Sequence, residues 1–344
     1  MTNQVIIAIL SLVMDKAMKP ETLQDAILYF SDLGNCLDYM ANKRWPDGVV
    51  TCPTCKRQDV TFLQKQRKWQ CKSAHKNRQF SAKVGTIFED SHIPLEKWLV
   101  VVWMLCNCKN GVSSYEVARA VGVTQKSAWF MLHRIRVGLH KPAFGTKIGG
   151  PDNTVEVDET WIGGKSKNMH KERRIRYEKS GGHHGKTVVM GMLDRDAREI
   201  RAKVVPNVQR ETLQNEVLSN IKYGTKVYTD ESLAYDKLHS RYVHDFVNHA
   251  ERYVNGQVHT NGLENFWSLF KRNLRGTYVT VEPFHMFRYL DEQMFRFNNR
   301  GTKDDKVTDR DRFDRAMGQI FNKRLTFAEV TGHDGALGSQ TVAW

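Results

Sequence analysis

The sequence predicts an α/β protein with a mixed sheet and flanking helices in its second half, preceded by a small cysteine-containing hairpin and a helical domain. Three observations predict this class. Strand-like and helix-like segments alternate over residues 150–300, residues 86–145 carry apolar side chains at helical spacing, and residues 49–85 hold closely spaced cysteines among polar residues. The remainder is predicted to be an N-terminal helical segment (1–48) and a C-terminal tail (301–344).

The composition indicates a folded protein with a polyanionic partner. Its 52 lysines and arginines outnumber its 38 aspartates and glutamates, and the net charge of +14 favours nucleic acid through counterion release. A hydrophobic content of 40% and eight tryptophans are typical of a folded chain.

No window approaches the roughly 18 apolar residues of a membrane span. The opening "VIIAILSLVM" lacks a basic segment before it and a cleavage site after it, so we expect an intracellular protein.

The first segment is predicted to be helical. Apolar residues recur at helical spacing in "PETLQDAILYFSDLGNCLDYMANKRW", and Pro20 stands near a helix start. Cys36 lies on this segment, where a small buried side chain is the expected role.

The next region has the ligand spacing of a metal site. Cys52 and Cys55 form a Cys-x-x-Cys pair, and Cys71 and His75 follow after a short polar hairpin. In an intracellular protein this spacing favours metal over disulfides, and three thiolates with one imidazole suit tetrahedral Zn²⁺. We therefore predict a zinc ribbon with a structural zinc ion. The intervening cations are compatible with phosphate contact or with a solvated face: Lys65, Arg67, Lys68 and Lys72.

The helical domain is predicted to contain a helix-turn-helix. An apolar helix over "PLEKWLVVVWMLCNCKNG" precedes "SSYEVARAVGVTQKSAWFMLHRIRVGL", in which Gly122 permits a turn and Thr124 can cap the second helix. The first residues of that helix would face a DNA major groove: Gln125, Lys126 and Ser127. Cys106 and Cys108 lie on the apolar helix, where we expect packing rather than metal binding.

From residue 152 the pattern changes to strands. "TVEVDETWIGG" alternates, "TVVMGMLDRDAREIRAKVVP" predicts two strands joined by a tight turn, and helix-like and strand-like segments then alternate up to "GLENFWSLFKRNL". Three acids fall at strand ends or a helix start in this domain. Asp230 follows Asp158 by 72 residues, and Glu264 follows Asp230 by 34. Three such carboxylates can converge on one face of a sheet and hold two Mg²⁺ (or Mn²⁺) ions for in-line phosphoryl displacement.

Other acids of the domain are assigned less direct roles. Strand alternation is taken to place Glu156 and Glu159 on the face opposite Asp158. Asp194 and Asp196 belong to the turn "LDRDAR" and are expected to face solvent.

Several motifs together resemble a known family. "VEVDETWIGGK", "VYTDES", "VNHAERYVNGQVHTNGLENFWSLFKRNLRGTY" and "RYLDEQMFRFNNR" resemble bacterial insertion-sequence transposases related to the Merlin elements, and "QFSAKVGTIFEDSHIPLEKW" after the zinc ribbon is similar to the N-terminal region of that group. The resemblance extends over about residues 20–330. It implies the DDE superfamily and a ribonuclease-H-like catalytic fold.

The resemblance implies roles for individual residues. Asp158, Asp230 and Glu264 would be the metal-binding catalytic triad, with Asn261 as an alternative third member because the signature of the group includes that asparagine. Lys271, two helical turns beyond Glu264, would contact the transposon end, and the cations after it would hold DNA: Arg272 and Arg275.

The resemblance also implies an activity and partners. We expect a DNA transposase that binds terminal inverted repeats, hydrolyses a phosphodiester at each transposon end and joins the freed 3′-hydroxyl to target DNA. Joining two ends implies a homodimer or a larger assembly, located in the cytoplasm or nucleoid if the source is bacterial. Two alternatives remain open: a zinc-ribbon regulator that only binds DNA, and a metal-dependent nuclease that does not join strands.

Overall fold

The computed structural model describes most of the chain. The described residues are 20–141, 146–163, 171–172, 175, 186–230, 233–235, 238, 241–247 and 259–332. They fall into two compact units, one built from the residues up to Leu139 together with those from Gly301 onward, the other from His140–Arg300. The opening "VIIAILSLVM" and most of the basic loop before residue 186 lie outside the described residues.

Between residues 20 and 300 the elements lie in the segments predicted from the sequence, and two further helices lie in the described part of 301–344, the region expected to be a tail. The helices are α1 (Leu23–Phe30), α2 (Leu33–Arg44), α3 (Leu95–Asn107), α4 (Ser114–Val121), α5 (Gln125–Leu139), α6 (Arg210–Asn220), α7 (Asn261–Gly276), α8 (Met286–Asn298), α9 (Asp309–Met317) and α10 (Phe327–Thr331). The strands are β1 (Val60–Leu63), β2 (Lys68–Cys71), β3 (Gln79–Phe80), β4 (Thr154–Ile162), β5 (Thr187–Asp194), β6 (Glu199–Val205), β7 (Lys226–Asp230) and β8 (Val243–Val247). Within the described ranges, no helix is long and apolar enough to cross a membrane.

The first unit is organised around α3. Most of its side chains are buried, and its Trp103 packs against Phe313 of α9 with ring centroids 5.0 Å apart. Phe313 also contacts Phe30 of α1 at 5.6 Å. Cys36 and Cys106 are fully buried among these helices, which confirms that they are packing residues.

Helices α4 and α5 form a short helical hairpin at the predicted place. The hydroxyl of Ser113 and the carboxylate of Glu116 cap α4 reciprocally. Gly122 ends α4 with φ +62°, a conformation that favours glycine. The Ser127 N–H donates to the Thr124 hydroxyl at 3.1 Å, so Thr124 caps α5. The turn and cap therefore lie where the sequence placed them.

Strands β1, β2 and β3 form a small antiparallel sheet. Trp69 of β2 is buried against Trp45 and Phe80, with ring centroids 5.1 Å and 6.0 Å apart. This aromatic cluster is the apolar support of a hairpin too small to bury a core of its own.

The second unit contains a five-stranded mixed sheet in the order β6-β5-β4-β7-β8. Strand β4 is central; it pairs antiparallel with β5 and parallel with β7. Side chains of α6 form one buried cluster with Val155 and Val157 on one face, whereas α7 and α8 cover the other face with Ile162. The prediction of a mixed α/β domain is confirmed.

Candidate functional sites

Four metal-ligating side chains meet in the zinc ribbon. Cys52 Sγ lies 3.5 Å from His75 Nε2, and Cys55 Sγ lies 3.6 Å from Cys71 Sγ. All four donor atoms are within 4.8 Å of one another. A tetrahedral zinc ion with Zn–S near 2.3 Å and Zn–N near 2.0 Å requires donor separations of about 3.5–3.8 Å. The donor set therefore fits Zn²⁺, and His75 takes the fourth position as predicted.

The orientation of His75 supports this geometry. Its Nδ1 lies 2.7 Å from the carbonyl oxygen of Lys76, to which the ring N–H can donate. That contact leaves Nε2 as the atom facing the thiols, the arrangement in which a backbone acceptor fixes the tautomer of a zinc-bound imidazole.

The sheet brings two of the predicted catalytic acids side by side. The parallel pairing of β4 with β7 ends where Glu156 lies beside Tyr228. Two residues further along each strand, the same register brings Asp158 next to Asp230. The two acids thus lie just beyond the end of the β4–β7 pairing.

Hydrogen bonds fix the orientation of Asp158. Its Oδ2 accepts from the indole N–H of Trp267 at 2.9 Å, and its Oδ1 accepts from the Glu159 N–H at 2.8 Å. Trp267 belongs to α7, three residues after Glu264. Helix α7 therefore contacts β4 at the predicted acid.

The electrostatics of Asp158 show that the three acids share one region. Burial, then the charge of Asp230, raises the pKa of Asp158 to about 7, and the charge of Glu264 adds to the increase. Glu264 is exposed on α7. The oxygens of Asp158, Asp230 and Glu264 are not all within 4.8 Å of one another.

Lys271 lies in the same region. It is half-buried; burial and the charges of Arg275 and Lys186 lower its pKa, and the charge of Asp158 opposes that decrease. The ammonium group of Lys271 is therefore within electrostatic reach of Asp158. Arg272 and Arg275 are exposed further along α7.

The neighbours of Asp158 on β4 correct one prediction. Glu156 is two residues from Asp158 and therefore lies on the same face, not the opposite one. It is buried, and its Oε2 accepts from the Leu263 N–H of α7 at 2.9 Å. Glu159 does lie on the opposite face, where burial and the charges of Asp158 and Asp230 raise its pKa to about 8.

The turn after β5 corrects a second prediction. Asp194 is buried, not solvent-facing, because it accepts hydrogen bonds from the N–H groups of Gly149, Asp196 and Ala197. Asp196 is exposed as expected. Asp194 therefore organises its own turn and a neighbouring backbone segment.

The remaining candidate residues lie at two helix starts. Asn261 is the first residue of α7, next to Thr260, whose hydroxyl donates to Asp230 Oδ1 at 3.2 Å. At the start of α5, the Gln125 amide donates to Ser114 Oγ at 2.8 Å, and Ser127 takes part in the Thr124 cap. Lys126 is exposed, with Nζ 4.9 Å from the ring centre of Phe327. Contact of these residues with DNA stays a prediction.

The chain thus combines two features: a small hairpin with a Cys₃His group, and a mixed-sheet unit in which the charges of several acids act on one another. Both features belong to the class of metal-dependent proteins. Comparison with known proteins identifies the family. Residues 149–298 match the ISXO2-like transposase domain, and residues 34–77 match the transposase zinc-ribbon domain. The chain belongs to the family of insertion-sequence transposases that carry these domains.

Two curated relatives and one solved structure are similar to this chain. An uncharacterized protein in transposable element ISH50 of Halobacterium salinarum is 27% identical over 245 residues, which cover 68% of this chain and 80% of the relative. An uncharacterized transposase-like protein of Haemophilus influenzae is 37% identical over 97 residues, covering 28% of this chain and 78% of the relative. A chain of the simian T-cell lymphotropic virus intasome in complex with PP2A regulatory subunit B56 gamma matches at 12% identity over 60% of this chain and 72% of that chain, with a TM-score of 0.30, too low to define the fold.

Proposed function

We propose that this transposase is a DDE-type enzyme with a ribonuclease-H-like catalytic domain. It binds terminal inverted repeats and hydrolyses a phosphodiester at each transposon end. The freed 3′-hydroxyl is then joined to target DNA. The observation that carries the proposal is the placement of Asp158 beside Asp230 on parallel neighbouring strands, within the electrostatic reach of Glu264 on α7. The sheet order, with the first strand central and two parallel strands added after it, supports the fold assignment.

The donor set suits a pair of hard divalent cations. The three acids offer oxygen ligands only, which Mg²⁺ and Mn²⁺ prefer. Burial and the neighbouring charges of Asp230 and Glu264 oppose the ionisation of Asp158, and a bound cation would relieve that repulsion. When bound, two such ions activate the attacking oxygen and stabilise the leaving oxygen of an in-line displacement.

The residues of the chain contribute orientation and charge. The Trp267 indole and the Glu159 N–H hold both oxygens of Asp158, so its carboxylate is fixed before substrate binds. Lys271 beside Asp158 meets the phosphate charge of the DNA. In the first step a water oxygen bonds to phosphorus, its proton leaves, and the broken P–O3′ bond yields a 3′-hydroxyl. In the second step that hydroxyl oxygen attacks a target phosphodiester and releases a target 3′-hydroxyl.

The third ligand has two candidates. Glu264 has the carboxylate, and its charge acts on Asp158. Asn261 lies one helical turn earlier on α7, next to the Thr260 that contacts Asp230. We assign the position to Glu264 because a carboxylate binds a divalent cation more strongly than an amide does.

DNA recognition is assigned to the first unit and to the end of α7. The zinc ribbon and the α4–α5 hairpin would bind the inverted repeats, with Gln125, Lys126 and Ser127 at the start of α5. Double-stranded DNA, both transposon end and target, is thus the partner. Because two ends must be joined, a homodimer or a larger assembly is required.

The test is a strand-transfer assay with labelled DNA that carries the inverted repeats flanking the gene. We expect Mg²⁺-dependent cleavage and joining by the wild type, and loss of both by at least about 10³-fold in Asp158→Asn, Asp230→Asn and Glu264→Gln. Asn261→Ala distinguishes the two candidates for the third position. Asp196→Asn, an exposed acid of the β5–β6 turn, is the matched control.

Each alternative predicts a different result. Cleavage without joining would support a nuclease. DNA binding without metal-dependent cleavage would support a regulator. Full activity in the three acid variants would refute the catalytic assignment.

A further inference from the structure

We propose that Glu156 is a positioning residue that locks the start of α7 onto strand β4 and so sets the distance from Glu264 to Asp158. The inference rests on the proposed function, because it concerns the geometry of the same site. Glu156 lies two residues before Asp158 on the same face of β4, and its partner Leu263 directly precedes Glu264. This one contact therefore links β4, which carries Asp158, to α7, which carries Glu264.

Both oxygens of Glu156 are engaged by the protein. Oε2 accepts from the Leu263 N–H at 2.9 Å, and Oε1 accepts from Arg195 Nε at 2.6 Å. The residue is only 1% exposed. A carboxylate so held is oriented toward α7 and the Arg195 guanidinium, and it is not placed to bind a catalytic ion itself.

The start of α7 needs this acceptor. The first N–H groups of a helix have no partner within the helix, and the side chain before it usually supplies one. Thr260 precedes α7, but its side chain makes no capping hydrogen bond, and its hydroxyl donates to Asp230 instead. Glu156 supplies the missing acceptor from β4, and its negative charge suits the positive end of the helix dipole.

Arg195 extends the contact to the residue before α7. Its Nη2 donates to the His259 carbonyl oxygen at 2.6 Å and lies 2.7 Å from His259 Nδ1. Arg195 follows β5, so it joins the sheet to the chain entering α7. We call the contacts among Glu156, Arg195, His259 and Leu263 the α7 latch.

Gly262 allows the latch to close. A Cβ atom at this position would lie 2.4 Å from Leu193 Cδ2 and 2.9 Å from Glu156 Oε2. Any side chain would therefore push the first turn of α7 away from β4. The close approach of α7 to β4, and not backbone flexibility, therefore explains why residue 262 is a glycine.

The latch acts together with the contact between Trp267 and Asp158. The two contacts are two residues apart on β4 and four apart on α7, and Glu264 lies between them on the helix. Helix α7 is therefore held at two points that bracket the proposed third ligand. Loss of the latch frees one end and lets Glu264 move relative to Asp158.

The experiment compares Glu156→Ala and Glu156→Gln with a matched control, Glu292→Gln. Glu292 is a fully buried glutamate of the same unit, ion-paired with Arg296 within α8. We measure single-turnover cleavage against Mg²⁺ concentration, DNA affinity in EDTA, and amide hydrogen exchange in the peptide containing Leu263.

In Glu156→Ala we expect the Mg²⁺ concentration for half-maximal cleavage to rise about 10- to 100-fold, as for residues that orient metal ligands, with DNA affinity unchanged. Exchange at the start of α7 should accelerate. Glu156→Gln keeps an acceptor for the Leu263 N–H and should recover part of both effects. Glu292→Gln should leave the Mg²⁺ midpoint at the wild-type value, even if it lowers thermal stability.

A second variant covers the case in which Glu156→Ala does not fold. Gly262→Ala displaces the first turn from the helix side and should raise the Mg²⁺ midpoint in the same direction. Folded Glu156 variants with a wild-type midpoint and wild-type exchange at α7 would overturn the latch. If the wild type shows no metal-dependent cleavage, the proposed function fails, whereas hydrogen exchange still decides whether the latch exists.

Discussion

Asp158 is a carboxyl group whose surroundings oppose its ionisation. Its pKa, raised to about 7 by burial and by Asp230, lies above that of the unfolded chain. Between about pH 4 and about pH 7, Asp158 is therefore protonated more in the folded protein than in the unfolded chain. The free energy of unfolding falls as pH rises through that range. In the absence of divalent cations, Asp158→Asn should stabilise the protein by about 2 kcal/mol more at about pH 8 than at about pH 5.

Chemical denaturation of the two proteins in EDTA at both pH values measures this difference. The control is Asp152→Asn, which changes an exposed acid just before β4 and leaves Asp158 in place. Mg²⁺ should stabilise the wild type and leave Asp158→Asn unaffected, since the ligand is lost. An equal stability gap at both pH values would contradict the raised pKa.

At the scale of the element, α7 lies unusually close to the sheet. A Cβ atom at Gly191 of β5 would lie 2.7 Å from Trp267 Cζ2 and 2.9 Å from Leu263 Cδ2. We predict that Gly191→Ala destabilises the sheet-containing unit by about 1–3 kcal/mol, because the helix must move outward. Gly276→Ala is the control: a Cβ atom at this position, at the end of α7, would meet no atom within 4 Å outside its own helix backbone and chain neighbours, so the substitution should be neutral or stabilising by up to about 1 kcal/mol.

Thermal unfolding measures both variants. Because Trp267 donates to Asp158, Gly191→Ala should also weaken Mg²⁺ binding, whereas Gly276→Ala should not. A Gly191→Ala protein with wild-type stability would mean that α7 does not pack this closely.

Local sequence signals predicted the elements well but not the contacts between them. The Cys-x-x-Cys pair, the Gly122 turn and the Thr124 cap each depend on residues close in sequence, and the structure has them in place. Alternation also predicted β4, but the face of Glu156 was assigned wrongly, since residues two apart on a strand share a face.

The partners of the site residues could not be predicted in the same way. Glu156 and Leu263 are 107 residues apart, and Trp267 and Asp158 are 109 apart. Such contacts depend on strand order, register and helix docking, which no local pattern specifies. A glutamate two residues before a predicted catalytic aspartate, with a glycine at the start of the helix that carries the third acid, was the available signal.

At the scale of the whole molecule, the zinc site and the proposed Mg²⁺ site lie in separate units. The zinc ligands belong to the first unit and the acids to the second. We predict that Cys52→Ser abolishes zinc binding and unfolds the hairpin, since small zinc modules depend on the metal for folding. The acid site should retain Mg²⁺ binding, because its carboxylates are held by the larger sheet.

Zinc content by mass spectrometry and Mg²⁺ binding by calorimetry separate the two effects. Cys108→Ser changes a cysteine outside the Cys₃His group and should keep one zinc per chain. Zinc retained by Cys52→Ser, or lost by Cys108→Ser, would contradict the assignment.

The net charge of +14 makes DNA affinity depend on salt across the whole molecule. Each phosphate contact adds about one to the slope of log affinity against log salt, so Lys271→Ala should lower the slope by about one for any DNA sequence. The measurement is fluorescence anisotropy in EDTA, which excludes cleavage. Lys203→Ala is the control, because Lys203 is ion-paired with Glu216 at 2.7 Å and should leave the slope unchanged. An unchanged slope in Lys271→Ala would show that Lys271 makes no phosphate contact and would contradict the role assigned to this lysine beside Asp158.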